Sequence, residues 1–214
     1  MTRKERVAII MKRLKKEYPI PGPFIDWSNP LELLVGTILS AQCTDERVNK
    51  VTKVLFKKYK IANDYAQARI ATLEKEVYST GFYRAKAKNL KATGKIIVDD
   101  FNGKVPDTLE GLLTLKGASH KTAYIVLAKA FGKFDGVPVD THVKRLAPRL
   151  GLTREKENTD KISVDLGRIL PPKEFLKINE YLITHGRAIC GRVPKCDICV
   201  LNDICPTGRK NLKK

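Results

Sequence analysis

Apolar residues recur along this chain with a helical period. Val7, Ile10, Met11 and Leu14 fall at i, i+3, i+4 and i+7, with basic residues filling the opposite face. A Pro/Gly loop, Pro19–Pro23, follows. Leu31, Leu34, Val35, Ile38 and Leu39 then repeat the stripe, and Leu33 widens it, which predicts a helix buried at the centre of a domain. Its start is written locally, with Asn29 as N-cap, Pro30 at the first helical position and Glu32 in the first turn. Thr44 is placed to cap the next helix, which runs through Val48, Val51 and Leu55. Gly81 marks a helix end, and a long basic helix is predicted from about Arg84 to Asp100.

Further along, Asp107 with Glu110 reads as a capping box. A short helix to Leu115, a five-residue turn and a helix from His120 to Phe131, ended by Gly132, form a tight helical hairpin. Asp140 caps a helix that stops at Gly151, and two more helices are expected near 154–169 and 173–187. The remaining tail reads as a cysteine-rich loop. No segment alternates with period two, so the predicted class is all-α. Residues 132–138 hold two glycines and a proline, which suits a domain junction.

Composition narrows the partner. A chain of 214 residues suits one large domain or two small ones, and 43% hydrophobic residues suffice for a packed core. Lysine and arginine number 41 against 23 acids, a net charge of +18. Nucleic acid is the leading partner for such a charge, an anionic membrane surface the second, and a merely solvated basic surface the third. No run approaches the ~18 apolar residues of a membrane span, and Met1–Lys16 lacks the apolar core of a signal peptide. The expectation is an intracellular protein with no membrane association, whose cysteines stay reduced.

Three constellations carry chemistry. Leu115-Lys116-Gly117-Ala118-Ser119-His120-Lys121 places a glycine turn before a helix N-terminus, where unpaired N–H groups grip a phosphate without reading sequence. Lys121 falls in the first helical turn, where the helix dipole disfavours positive charge and so favours a nucleophilic amine; a surface lysine beside a phosphate is the competing reading. Asp140 follows nineteen positions later, and serves either as a plain N-cap or as a carboxylate that works with the amine. The third is Cys190-x5-Cys196-x2-Cys199-x5-Cys205. By spacing alone it suits zinc or an iron–sulfur cluster about equally. Cys43 stands apart and reads as a small core residue.

Together, the hairpin with Lys121, the segment Val137–Val143, the four C-terminal cysteines, Leu39-Ser40-Ala41-Gln42-Cys43-Thr44-Asp45, and Gly81-Phe82-Tyr83 with Lys86 resemble the endonuclease III family of base-excision repair glycosylases, in the family's order and over essentially the whole chain. The resemblance implies two helical domains with a DNA cleft between them. A six-helix domain with the helix-hairpin-helix spans 25–135, and a cluster domain combines 1–24 with 136–214. It implies a bifunctional glycosylase/AP lyase that excises damaged, oxidised pyrimidines from double-stranded DNA and nicks the abasic site. In that role Lys121 attacks C1′ and Asp140 assists. Gln42 fills the gap left by the flipped base, Phe82 wedges into the stack, and the four cysteines hold a [4Fe-4S] cluster. A monomer is expected.

The sequence departs from the family at several points. Lys116 replaces the usual hairpin proline, Ser119 its second glycine, and His120 its following basic residue; the first cysteine gap is one residue short. Lys116, Gly117, Ser119 and His120 are therefore expected DNA contacts, joined by Arg192 and Lys195 inside the cysteine loop, while His142 and His185 read as structural. A mismatch glycosylase acting on uracil or thymine opposite guanine is a variant within the class, and a non-catalytic DNA-binding protein is the different-class alternative.

Overall fold

A computed structural model describes residues 1–21 and 24–213. In chain order the α-helices are α1 (Arg3–Glu17), α2 (Pro30–Leu39), α3 (Asp45–Lys58), α4 (Ala62–Gln67), α5 (Ile70–Val77), α6 (Tyr83–Asp100), α7 (Leu109–Thr114), α8 (His120–Phe131), α9 (Thr141–Arg149), α10 (Thr159–Gly167), α11 (Phe175–Ala188) and α12 (Pro206–Leu212). Among the described residues the only β pairing is an isolated bridge between Cys190 and Pro194, so the all-α expectation holds. The loop expected at Pro19–Pro23 lies partly outside the described residues.

The chain divides into two compact units, Pro23–Lys133 and Met1–Gly22 with Phe134–Lys214. In the first, α2 is the centre. Every residue from Leu33 to Leu39 is buried, because the helix is apolar on more than one face. Asn29 caps it, its side chain accepting from the Glu32 N–H at 3.0 Å. The face of α6 formed by Lys86, Leu90, Thr93 and Ile97 is buried, and α4 and α5 pack against that helix. Gly94 allows the approach: a Cβ there would lie 2.6 Å from the Ala62 carbonyl oxygen.

In the second unit α1 packs on α11, and α9 packs on both α10 and α11. Val7, Ile10 and Leu14 of α1 are buried there with Val143, Leu146, Ile178 and Leu182.

Several local expectations are corrected. Helices α4, α5 and α12 were not foreseen, since six to eight residues are too short for a 3.6-residue period to declare itself. Thr108, not Asp107, caps α7, its hydroxyl accepting from the Gly111 N–H at 3.2 Å. Asp107 is engaged by the Lys133 ammonium instead, at 2.6 Å. The helix expected from 154 begins at Thr159, capped by Asn158. Before it, the Glu155 carboxylate accepts from the N–H groups of Lys156, Glu157 and Asn158, which builds a turn and holds that acid down to about 2.

Candidate active site and cysteine loop

Helices α7 and α8 form the hairpin of the Pro23–Lys133 unit. Gly117 sits at φ +84°, and a Cβ there would meet the Asn89 side chain at 2.8 Å. Both facts demand glycine. Ser119 has extended backbone, φ −106°, and its hydroxyl accepts from the Thr122 N–H as the N-cap of α8. Serine therefore fits where the resemblance implied a second glycine. The Thr93 hydroxyl donates to the Lys116 carbonyl at 2.8 Å and ties the turn to α6. Lys116, Gly117, Ser119 and His120 are all exposed, and Lys121 follows them half-buried in the first turn of α8. There the first N–H groups lack intrahelical partners.

Gln42 and Phe82 are exposed on two other loops of the same unit, both with left-handed backbone, at φ +53° and +48°. Phe82 is 64% exposed and so stands outside the core. The two loops meet at Lys86, a buried side chain whose ammonium donates to the Leu39 carbonyl at 2.8 Å and the Thr80 carbonyl at 2.7 Å. Burial pushes this lysine below its ordinary range. Sequence reading found Lys86 only as part of a resemblance. Its signal was a lysine in helical register with Leu90 and Ile97. Cys43 is half-buried against the core, as a small packing residue would be.

Asp140 belongs to the other unit. It is the N-cap of α9, and its Oδ1 accepts from the Val143 N–H at 2.8 Å. The approach is held by two buried bonds: the Val137 N–H donates to the Ser163 hydroxyl at 3.1 Å, and the Asn179 amide donates to the Pro138 carbonyl at 3.0 Å.

The cysteine loop lies beside α9 and α11. Among the described residues no three His, Cys, Asp or Glu side chains are gathered tightly enough to hold a metal ion. The four sulfurs nevertheless interact electrostatically, and each faces an N–H donor. Arg149 reaches Cys190 at 3.6 Å, Asn211 reaches Cys196 at 3.3 Å, the Leu201 N–H reaches Cys199 at 3.4 Å, and the Gly208 N–H reaches Cys205 at 3.3 Å. Donors on sulfur favour thiolates, so the donor chemistry fits a cluster ligated by four thiolates. Without a metal, burial pushes the Cys199 and Cys205 thiols upward.

His185 is buried between the Tyr18 hydroxyl, 3.1 Å from Nδ1, and the Cys199 sulfur, 3.5 Å from Nε2. Burial lowers it to about 4, so it is a neutral ring at physiological pH. Arg192 and Lys195 are exposed on the loop. Arg192 lines a hollow with Lys144, Arg145, Arg149 and Lys156, basic residues that sequence reading passed over. For the first three the signal was the density of positive charge along α9. The His142 ring contacts the Arg145 guanidinium, at 3.0 Å.

Two helices joined by a glycine turn that opens a helix N-terminus, in a unit whose described elements are helical, form a helix-hairpin-helix. The profile of the HhH-GPD superfamily of base excision DNA repair proteins matches residues 35–172. The endonuclease III of Synechocystis sp. is 47% identical over 211 residues, covering 97% of this chain and 95% of that protein. A solved non-covalent endonuclease III–DNA complex superposes with a TM-score of 0.92 at 36% identity, covering 100% of both chains. A trapped endonuclease III–DNA covalent intermediate does so with the same score and identity, over 99% of this chain and 100% of that one. The chain belongs to the HhH-GPD superfamily and, within it, to the endonuclease III family of DNA glycosylases with AP lyase activity.

Proposed function

We propose that this enzyme binds double-stranded DNA carrying a damaged base, an oxidised pyrimidine, or an abasic site, and that Lys121 is its nucleophile. The observation that carries the reading is the position of Lys121, half-buried in the first turn of α8 directly behind the exposed hairpin. The hairpin N–H groups and Lys116 take the phosphate, and His120, Arg192 and Lys195 add contacts to the backbone. Gln42 and Phe82 enter the stack as the damaged nucleotide leaves it.

An ammonium cannot attack, so Asp140 accepts the lysine proton. The amine then forms a bond to C1′ as the glycosidic bond breaks, and the base leaves with the electron pair and takes up a proton. Opening of the sugar ring gives an iminium between Lys121 and C1′, and the ring oxygen is protonated. Loss of a C2′ proton pushes electrons to C3′, the C3′–O bond breaks and the 3′ phosphate departs. Water finally releases the lysine. Asp140 also stabilises the positive charge that develops on the sugar.

Cys190, Cys196, Cys199 and Cys205 would hold a [4Fe-4S] cluster, which contributes folding energy to the loop when bound. The family resemblance favours a monomer that acts inside the cell. Separately, no described helix is long and apolar enough to cross a membrane.

Borohydride tests the assignment, because it reduces the iminium and links protein to DNA. The Lys121→Gln protein is expected to lose both adduct and nicking while still binding an abasic duplex, and Asp140→Asn to slow trapping by orders of magnitude without abolishing it. An adduct formed by Lys121→Gln at the wild-type rate would show that another amine is the nucleophile.

A further inference from the structure

Left-handed backbone is uncommon outside glycine, and surrounding structure must impose it. In this unit Gln42, Phe82 and Asn102 have it, and the first two, forty positions apart, are exposed just before the helices that follow them. What lies between those loops is a single buried cation. Lys86 is 4% exposed and has no carboxylate partner among its hydrogen bonds. A buried ammonium needs acceptors for its donors, and here two backbone carbonyls take two of the three.

Those carbonyls are telling. Leu39 ends α2, so its oxygen is one of the helix's orphan acceptors and carries the negative end of the dipole. The chain then turns through Ser40 and Ala41 to Gln42. The Cys43 thiol, just after Gln42, is within electrostatic reach of the same ammonium. Thr80 immediately precedes Gly81 and Phe82. The Lys86 backbone completes the clamp, since its N–H donates to the Phe82 carbonyl at 3.0 Å and closes the first turn of α6. One residue thus holds the base of the Gln42 loop through its side chain and both sides of Phe82 through side chain and backbone.

We propose that Lys86 is a positioning residue that locks the Gln42 and Phe82 loops together, so that the two side chains enter the DNA stack as one unit. This rests on the reading of Gln42 and Phe82 as the residues that probe DNA. A loose pair would let either side chain engage without the other, and opening of a paired site would slow. An abasic site, which has no base to unstack, would barely register the loss.

The test uses two substrates: the duplex lesion that the wild-type protein excises fastest from a single-lesion panel, and the matched abasic duplex. Phe82→Ala and Gln42→Ala are measured first. Each is expected to slow the paired lesion more than the abasic site; equal effects would overturn the DNA-probing reading itself, before Lys86 is altered. Lys86→Met, which keeps the stem and removes the donors, is then expected to slow the paired lesion roughly tenfold while leaving abasic trapping within about twofold. Adding Phe82→Ala and Gln42→Ala to Lys86→Met should cost little more. Equal slowing of both substrates, or full multiplication of the effects, would make Lys86 a merely structural residue and overturn the proposal. Should Lys86→Met fail to fold, amide exchange on the wild-type protein decides: the Gln42 and Phe82 loops are expected to gain protection together on lesion duplex, and protection of one without the other overturns the lock.

Discussion

Gly117 and Ser119 lie two residues apart in one turn and should tolerate opposite changes. Gly117→Ala puts a Cβ at φ +84° and against Asn89. Its left-handed backbone alone costs about 1–2 kcal/mol. Thermal unfolding should show a clear drop, with weaker binding to abasic duplex because the turn is displaced. Ser119→Gly keeps an accessible backbone and loses only the cap, for which glycine substitutes at a few tenths of a kcal/mol. The measured Tm should hardly move. Equal losses from the two variants would mean that the turn does not discriminate by backbone conformation. The role proposed for Lys121 belongs to this scale too, since only its neighbours and its place in α8 distinguish it from the other cations of the chain.

Individual elements serve as mounts. The hairpin α7–α8 is fastened to α6 through Thr93, and α9 carries Asp140 at one end and Arg149 at the other, where the guanidinium donates to the Gly191 carbonyl at 2.7 Å and the Arg192 carbonyl at 3.0 Å. The cysteine loop is thus stitched to the same helix that presents the carboxylate. Purified protein should be yellow-brown, absorb near ~400 nm and yield iron and sulfide on analysis. Stoichiometric zinc without iron, after anaerobic preparation, would reject the cluster. Cys199→Ser should lower stability and DNA binding more than it changes the rate of the bound lysine, since it strikes the loop rather than α8.

For the molecule as a whole, charge sets the binding regime. A net +18 and a basic hollow lined by Lys144, Arg145, Arg149, Lys156 and Arg192 should make affinity steeply dependent on ions. With several phosphates neutralised, affinity for any duplex should fall by orders of magnitude between ~50 and ~200 mM salt. Filter binding or anisotropy across that range checks this; a flat response would mean that the charge is not spent on phosphate contacts.

Periodicity and end signals made most helices readable in advance: the Asn29-Pro30 start of α2, the Thr44 start of α3, the span of α8 and the Asp140 cap all stand in the structure. These features depend on residues within a turn or two of one another, and local hydrogen bonding decides them. The candidate chemistry was legible for a related reason. A lysine in a first turn, an aspartate at a cap and four close cysteines are short-range patterns. Short helices α4, α5 and α12 escaped because their stability comes from packing rather than from their own pattern, and Thr108 displaced Asp107 as a cap because Lys133, twenty-six positions away, claims the acid. Lys86 marks the limit most clearly. Sequence alone places a lysine in register with a buried helix face, close in the chain to Thr80; only the tertiary fold brings the Leu39 carbonyl to it, because a partner 47 positions distant becomes a neighbour through packing and not through chain connectivity.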